Sequence, residues 1–179
     1  MKSFLAGLVL LCGVAAIPAH AALAVGAAAP DFTAKASLGG KEFDFSLDQA
    51  LQKGPVVLYF YPAAFTKGCT IEAHEFAESV DKFAAMGATV IGVSHDDIAT
   101  LDKFSVSECR SKFAVAADPN GTVIKAYDTV MTKNPAYADR TSYVIAPDHT
   151  IVFSLTDGDP YKHVSQTMDA VTKWRAAHP

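Results

Sequence analysis

The segment "PVVLYFYPAAFTKGCT", residues 55–70, joins an apolar run to a cysteine. Its first seven residues are rich in β-branched and aromatic side chains, a pattern typical of a strand buried on both faces. From Thr70 to Met86 the apolar residues recur at helical spacing, and Gly87 is expected to end that helix. The segment therefore predicts a buried strand followed by a helix, with Cys69 at the junction between them.

Strands and helices alternate along the rest of the chain. Upstream, residues 31–47 predict a hairpin around the turn "SLGGK". Such alternation implies an α/β fold with a mixed, mainly parallel central sheet flanked by helices. A thioredoxin-like topology fits this order, although the residues alone leave other α/β sheets open. The downstream elements expected are a strand at 88–94, a helix from Asp96 or Asp97 to about Lys112, a strand at 113–118, a short helix at 122–129, paired strands at 141–146 and 150–156, and a helix at 161–177 with Val164, Met168, Val171 and Trp174 in the core.

The N-terminus has the layout of a secretory signal peptide. Lys2 supplies the positive charge, an apolar stretch follows, and Ala19-His20-Ala21 matches a small-x-small cleavage site. We therefore expect a signal peptide at 1–21, one domain at 22–179, and export to the periplasm or, as a lesser possibility, secretion. An uncleaved anchor is the alternative, but Pro18 and His20 interrupt the apolar stretch early.

Composition restricts the partners and makes the cysteines informative. A formal net charge of −4 gives no electrostatic reason to expect nucleic acid or stable membrane association after cleavage. Of the three cysteines, Cys12 lies in the expected signal peptide, so Cys69 and Cys109 remain. An oxidising compartment favours their pairing as a disulfide, either as a structural staple or as part of a reaction.

Cys69 has the setting of a nucleophile. The end of a strand and the start of a helix meet there, and helix N-terminal amides favour a thiolate, with Lys67 as a nearby cation. Thr66 stands where a thioredoxin would carry the first cysteine of Cys-x-x-Cys, which excludes local disulfide cycling. A hydroxyl there suits an oxygen-containing substrate, because it both donates and accepts hydrogen bonds. A small buried thiol is the alternative interpretation.

The spacing of Pro62, Thr66, Cys69 and Glu72 resembles the active-site motif of the peroxiredoxins. The stretch "YFYPAAFTKGCTIEAHEF" is most similar to the PrxQ or bacterioferritin-comigratory-protein branch of this AhpC/TSA-like family. The likeness extends to "AAPDF" at 28–32, "VIGVSHD" at 90–96 and "DRTSYVI" at 139–145. It implies a thiol-dependent peroxidase that reduces hydrogen peroxide and organic hydroperoxides with no cofactor.

The resemblance implies a role for each motif residue. Cys69 would be the peroxidatic thiolate, which attacks the peroxide and becomes a sulfenic acid. Thr66 would hydrogen-bond the peroxide oxygens, and Arg140 would stabilise the charge that passes to the leaving group. Pro62 would shield the thiolate, and Glu72 would orient Arg140. Taken singly, these residues would be read as a helix cap, surface charges and the end of a strand.

The chain departs from the family at the resolving cysteine. Many members of the branch carry it five residues after the first, where this chain has His74. His74-Glu75 also resembles the start of a His-Glu-x-x-His zinc motif, but Glu78 occupies the second histidine position, so no metal site is predicted. His163 has no partner at ligand spacing and is assigned no role.

Cys109 is the remaining candidate for a resolving cysteine, through an intramolecular Cys69–Cys109 disulfide. Relatives that resolve from this region would align their cysteine nearer Ser105. Because Glu108 and Arg110 flank it, we expect Cys109 to be accessible near the end of a helix. Local unwinding would be needed for the thiols to meet. An inert buried thiol, a permanent staple and an intermolecular bridge are the alternatives.

The expected partners are a peroxide substrate and an extracytoplasmic thiol reductant, which would be a thioredoxin-like protein or a low-molecular-weight thiol. Relatives imply a monomer. The competing function is a non-enzymatic redox sensor or holdase on a peroxiredoxin scaffold. A disulfide oxidoreductase is disfavoured by the missing Cys-x-x-Cys.

Overall fold

The computed structural model describes residues 22–179, so the signal peptide expected at 1–21 lies outside the described residues. Within 22–179, seven strands form one sheet in the order β2-β1-β5-β4-β3-β6-β7. The elements along the chain are β1 (Thr33–Leu38), β2 (Lys41–Ser46), α1 (Leu47–Leu51), β3 (Val56–Phe60), α2 (Lys67–Ala85), β4 (Thr89–Ser94), α3 (Ile98–Ser107), β5 (Ala114–Ala117), α4 (Thr122–Ala126), β6 (Thr141–Ile145), β7 (Ile151–Thr156) and α5 (Pro160–Ala177).

Parallel pairing is confined to the three central strands, β5, β4 and β3. The flanking pairs are antiparallel, because β1–β2 and β6–β7 are hairpins with short loops and β6 runs opposite to β3. The mixed sheet flanked by helices and both predicted hairpins are therefore confirmed. The expectation that the sheet is mainly parallel is wrong, because only two of its six strand pairs are parallel.

Strand β3 is buried on both faces and lies at the centre of the fold. Every residue from Val56 to Phe60 is at most 1% exposed. Alternation along the strand sends Val56, Leu58 and Phe60 into one apolar cluster and Val57 and Tyr59 into the other. The second cluster also contains both cysteines, so the face of β3 that carries Tyr59 and Tyr61 supports the thiols.

Helix α2 begins earlier than the apolar periodicity predicted. Thr66 is its N-cap with extended backbone (φ −76°, ψ 150°), and the preceding Phe65 is left-handed at φ 62°. The sharp turn at Phe65 lets the helix start at Lys67, which places Cys69 in its first turn. Its end was predicted correctly, because Gly87 has a φ of 73° that a side chain would disfavour.

Three local predictions were wrong or incomplete. Helix α3 ends at Ser107 instead of near Lys112, because the chain turns through left-handed conformations at Arg110 and Ser111 (φ 51° and 55°). The short helix α1 was missed, since five residues carry no helical periodicity. Trp174 is not a core residue: it is half-buried in the last turn of α5 and stacks on His178 with ring centroids 4.6 Å apart.

Candidate active site

The site lies where the carboxyl end of β3 meets the amino end of β6. Phe60 pairs with Thr141 across these antiparallel strands, so Arg140 sits beside the loop that follows β3. Arg140 Nη2 donates a hydrogen bond to Cys69 Sγ over 3.5 Å, although the residues are 71 positions apart in sequence. The thiol is only 2% exposed, and the arginine side chain only 9%. The structure thus places a cation directly against a buried sulfur.

Glu72 lies one helical turn after Cys69, where its carboxylate pairs with the same guanidinium. Arg140 Nη1 donates to Glu72 Oε2, and the Glu72 side chain is fully buried. Burial raises the pKa of the Glu72 carboxyl above its ordinary value, against the opposing effect of the Arg140 charge. The interpretation of these residues as surface charges is therefore wrong.

Gly68 makes the close approach of Arg140 possible. A Cβ atom at this position would lie 2.9 Å from Arg140 Nη2. Any side chain here would force the guanidinium to shift away from this position. The glycine beside Cys69 is thus part of the geometry of the site.

The loop between β3 and α2 is held in one conformation by two kinds of contact. Asp96 Oδ2 accepts hydrogen bonds of 2.7 Å from the backbone N–H of Ala64 and from the Ser94 hydroxyl. The Phe65 ring packs edge-on against Phe104 with a centroid distance of 5.2 Å. Sequence reasoning assigned Ser94, Asp96 and Phe104 no part in the site, because they act on the loop from other elements.

Thr66 and Pro62 lie at the two ends of this loop. Thr66 is exposed, and its hydroxyl donates to the carbonyl of Ala63 over 3.0 Å. It occupies the N-cap position without a side-chain capping bond, so its hydroxyl is not used to start α2. Pro62 is half-buried, directly after the last buried residue of the strand segment, Tyr61.

Cys109 is buried, which contradicts the expectation of an accessible site. It follows the end of α3 with 0% exposure, and burial raises the pKa of its thiol far above the ordinary value. The flanking charges do not expose it, because they pair with α2: Glu108 with His74 at 2.9 Å, and Arg110 with Glu78 at 3.0 Å. Both cysteines are free thiols in this structure.

His163 and Ser142 are the site residues that sequence reasoning missed. His163 on α5 is fully buried, with its Nδ1 atom 2.8 Å from the Ser142 hydroxyl and 3.9 Å from Glu72 Oε1. No local pattern connects these positions, since they lie on different elements. Only the packing of α5 against the sheet brings them behind Arg140.

Metal-binding clusters and membrane-spanning helices are both absent from residues 22–179. No cluster of three or more histidine, cysteine, aspartate or glutamate side chains there could hold a metal ion. No helix in this part of the chain is both long and apolar enough to cross a membrane.

Comparison with known proteins identifies the family. The model of the AhpC/TSA family matches residues 25–154. The chain belongs to the AhpC/TSA family. The chloroplastic peroxiredoxin Q of Arabidopsis thaliana is an AhpC/TSA-like relative with 36% identity over 144 residues, which are 80% of this chain and 64% of that protein. The chloroplastic peroxiredoxin Q of Oryza sativa subsp. japonica is 32% identical over the same shares. This chain thus spans less than two thirds of the length of these plant relatives.

Solved structures agree with this family assignment. This protein superposes on peroxidoxin BcpB from Mycobacterium tuberculosis with a TM-score of 0.76 and 27% sequence identity. The superposition covers 83% of this chain and 96% of the BcpB chain. The resemblance to the PrxQ and bacterioferritin-comigratory-protein branch is confirmed, as is the thioredoxin-like fold.

Proposed function

We propose that this protein is a thiol-dependent peroxidase that reduces hydrogen peroxide and organic hydroperoxides through Cys69. One observation carries the proposal: a buried thiol in the first turn of α2 accepts a hydrogen bond from the guanidinium of Arg140. An adjacent cation and a helix N-terminus both favour a thiolate, which is the nucleophilic form of cysteine.

The reaction begins with attack of the Cys69 thiolate on one peroxide oxygen. The S–O bond forms as the O–O bond breaks, and the electron pair of the broken bond leaves with the second oxygen. That oxygen takes up a proton and departs as water or an alcohol, while the sulfur is oxidised by two electrons to a sulfenic acid. Arg140 lies where negative charge passes from the sulfur to the oxygens, so its charge stabilises the transition state.

Thr66 and Pro62 complete the site in this proposal. The Thr66 hydroxyl hydrogen-bonds the peroxide. It suits this role because it is exposed and its oxygen accepts no capping hydrogen bond from the N–H groups of α2. Pro62 shields the sulfur from one side. Glu72 touches no substrate in this scheme: it is a positioning residue that fixes the guanidinium of Arg140.

Cys109 then resolves the sulfenic acid. Its thiolate attacks the Cys69 sulfur, the S–S bond forms, and the sulfenic oxygen leaves as water. Because Cys109 is fully buried and its pKa is raised, the segment after α3 must open before this step. A thiol reductant restores both thiols by disulfide exchange, which takes either one dithiol or two monothiols in succession.

The cellular setting also belongs to the proposal. Residues 1–21 act as a signal peptide, residues 22–179 form the peroxiredoxin domain, and the mature protein works as a monomer in the periplasm. The reductant is accordingly an extracytoplasmic thiol, either a thioredoxin-like protein or a low-molecular-weight thiol.

Peroxide consumption in the presence of dithiothreitol tests the proposal. The reduced protein is expected to consume hydrogen peroxide catalytically, and Cys69→Ser is expected to show only the background rate of dithiothreitol. Equal consumption by the two proteins would refute the role of Cys69. Survival of the signal segment on protein recovered from the periplasm would refute cleavage after residue 21.

A further inference from the structure

We propose that His163 is a positioning residue for the peroxide reaction, which acts through Glu72 to hold the Arg140 guanidinium against Cys69. This inference rests on the proposed peroxidase function. It concerns a buried histidine on α5 that hydrogen-bonds to Ser142 and Asp157 and to neither cysteine, and it assigns this residue a part in the geometry of the site.

Hydrogen bonds determine which nitrogen of His163 carries the proton. Nε2 lies 2.9 Å from the carbonyl oxygen of Asp157, which can only accept, so Nε2 donates. In a neutral imidazole Nδ1 is then an acceptor, and it receives the hydroxyl proton of Ser142 over 2.8 Å. The ring is therefore fixed from two sides, by the loop before α5 and by β6, the strand that follows Arg140 directly.

This tautomer leaves one oxygen of Glu72 without a donor. Glu72 Oε2 accepts from Arg140, whereas Oε1 is buried and has no hydrogen-bond partner among the residues that the structure describes. The nearby Nδ1 of His163, at 3.9 Å, has its lone pair engaged by Ser142. Because the ring fills this space and offers no hydrogen, Arg140 is the partner that directs the carboxylate.

A charged imidazole would reverse this arrangement. Protonated Nδ1 would donate toward Glu72 Oε1 and compete with Arg140 for the carboxylate. Burial and the Arg140 charge both lower the pKa of His163, and the carbonyl of Asp157 and the charges of Asp157 and Asp159 oppose this. The groups that face the ring are thus Glu72 from α2, Arg140 directly before β6, Ser142 from β6, and the two aspartates from the loop before α5.

The experiment compares two substitutions on α5 in a Cys109→Ala background, in which oxidation stops at the sulfenic acid. His163→Leu keeps a buried apolar side chain but removes both hydrogen bonds of the ring. Val164→Ala is the matched control, because Val164 is also buried on α5 and its side chain makes no hydrogen bond. Rate constants are measured for Cys69 with hydrogen peroxide and with iodoacetamide, whose reaction needs no stabilised oxygen leaving group.

We expect His163→Leu to lower the peroxide rate constant about 10-fold or more relative to alkylation. Asp157 and Ser142 cannot hold a leucine in place as they hold the ring, so Glu72 and with it Arg140 can shift, and small misplacements of catalytic groups are costly. Val164→Ala is expected to leave this ratio unchanged. In an Arg140→Lys background, His163→Leu should have little further effect, since both changes act on one interaction. Additive losses in the double variant, or equal ratios for His163→Leu and Val164→Ala, would overturn the proposal.

Ser142→Ala provides a second route if His163→Leu does not fold. It removes the hydroxyl that engages Nδ1, and it should lower the same ratio about 3-fold, with no additional loss in the Arg140→Lys background. An unchanged ratio would overturn the proposal. Failure of the peroxidase function itself would be recognised separately, because the parent protein with His163 intact would then not react with peroxide at Cys69.

Discussion

Replacing Arg140 by methionine should separate what the buried ion pair does for stability from what it does for reactivity. The change leaves the carboxylate of Glu72, whose side chain is fully buried, without its partner. Removing one member of a buried pair costs about 3–5 kcal/mol in free energy of unfolding. Replacing both members by methionine removes the uncompensated charge. The free energy of unfolding of the Arg140→Met/Glu72→Met protein should therefore lie within about 1 kcal/mol of the parent value.

The cost in the single variant should depend on pH. Burial raises the pKa of Glu72 above its ordinary value of 4.5, and loss of the Arg140 charge removes the effect that lowers it. The folded single variant therefore binds a proton at Glu72 that the unfolded chain releases above its ordinary pKa. The free energy of unfolding of the single variant therefore falls as pH rises. Relative to the double variant, it falls by about 1.4 kcal/mol per pH unit between roughly pH 5 and pH 7.

Reactivity should not recover together with stability. Loss of a charged donor to the transition state lowers the peroxide rate constant by about 10²–10³, in the single and the double variant alike. Urea unfolding of the reduced proteins at pH 5, 6 and 7 gives the stabilities, and quenched single-turnover oxidation gives the rates. A double variant with the parent rate would refute the role of Arg140. A single variant whose stability has no pH dependence relative to the double variant would refute the burial argument for Glu72.

Three further substitutions test other parts of the site. Thr66→Val should lower the peroxide rate constant by up to about 10-fold, since a hydrogen bond between neutral groups contributes about 0.5–1.5 kcal/mol, whereas Thr66→Ser should stay near the parent rate. Gly68→Ala should lower the same rate constant about 10-fold, because the new Cβ atom would lie 2.9 Å from Arg140 Nη2 and displace the guanidinium. An unchanged rate constant would show that the reaction tolerates this displacement. Cys109→Ala should leave the first oxidation rate unchanged and abolish the disulfide, and in the reduced parent protein a maleimide should modify Cys109 only at the rate of local opening. Instant modification of Cys109 would contradict its burial.

Local patterns were sufficient to predict the centre of the fold. The uninterrupted apolar run of β3 requires burial on both faces, and the helical spacing after Thr70 requires a helix on that strand. The burial of Cys69 at their junction follows from these two elements. The pairing of Arg140 with Cys69 does not follow from them, because it depends on β6 running antiparallel to β3. Only the resemblance to the peroxiredoxins indicated this pairing.

The errors on Cys109 and His163 share a physical cause, because both concerned contacts between distant segments. Glu108 and Arg110 indicated an exposed Cys109, but both side chains pair with residues of α2 and the thiol is buried. His163 carried no local signal, since its partners come from β6 and from the loop before α5. Trp174 was assigned to the core by helical spacing, although its ring stacks on His178 near the end of the chain.

The most direct test of the account is the intact mass of the reduced protein after one equivalent of hydrogen peroxide, with Cys109→Ala and Cys69→Ser treated alongside. The account predicts loss of two hydrogens in the parent protein, gain of one oxygen in Cys109→Ala, and no change in Cys69→Ser. Gain of oxygen in the parent as well would make this a one-cysteine enzyme with Cys109 as a bystander. Oxidation of Cys69→Ser at the parent rate would contradict the central claim that Cys69 is the thiol that reacts with peroxide.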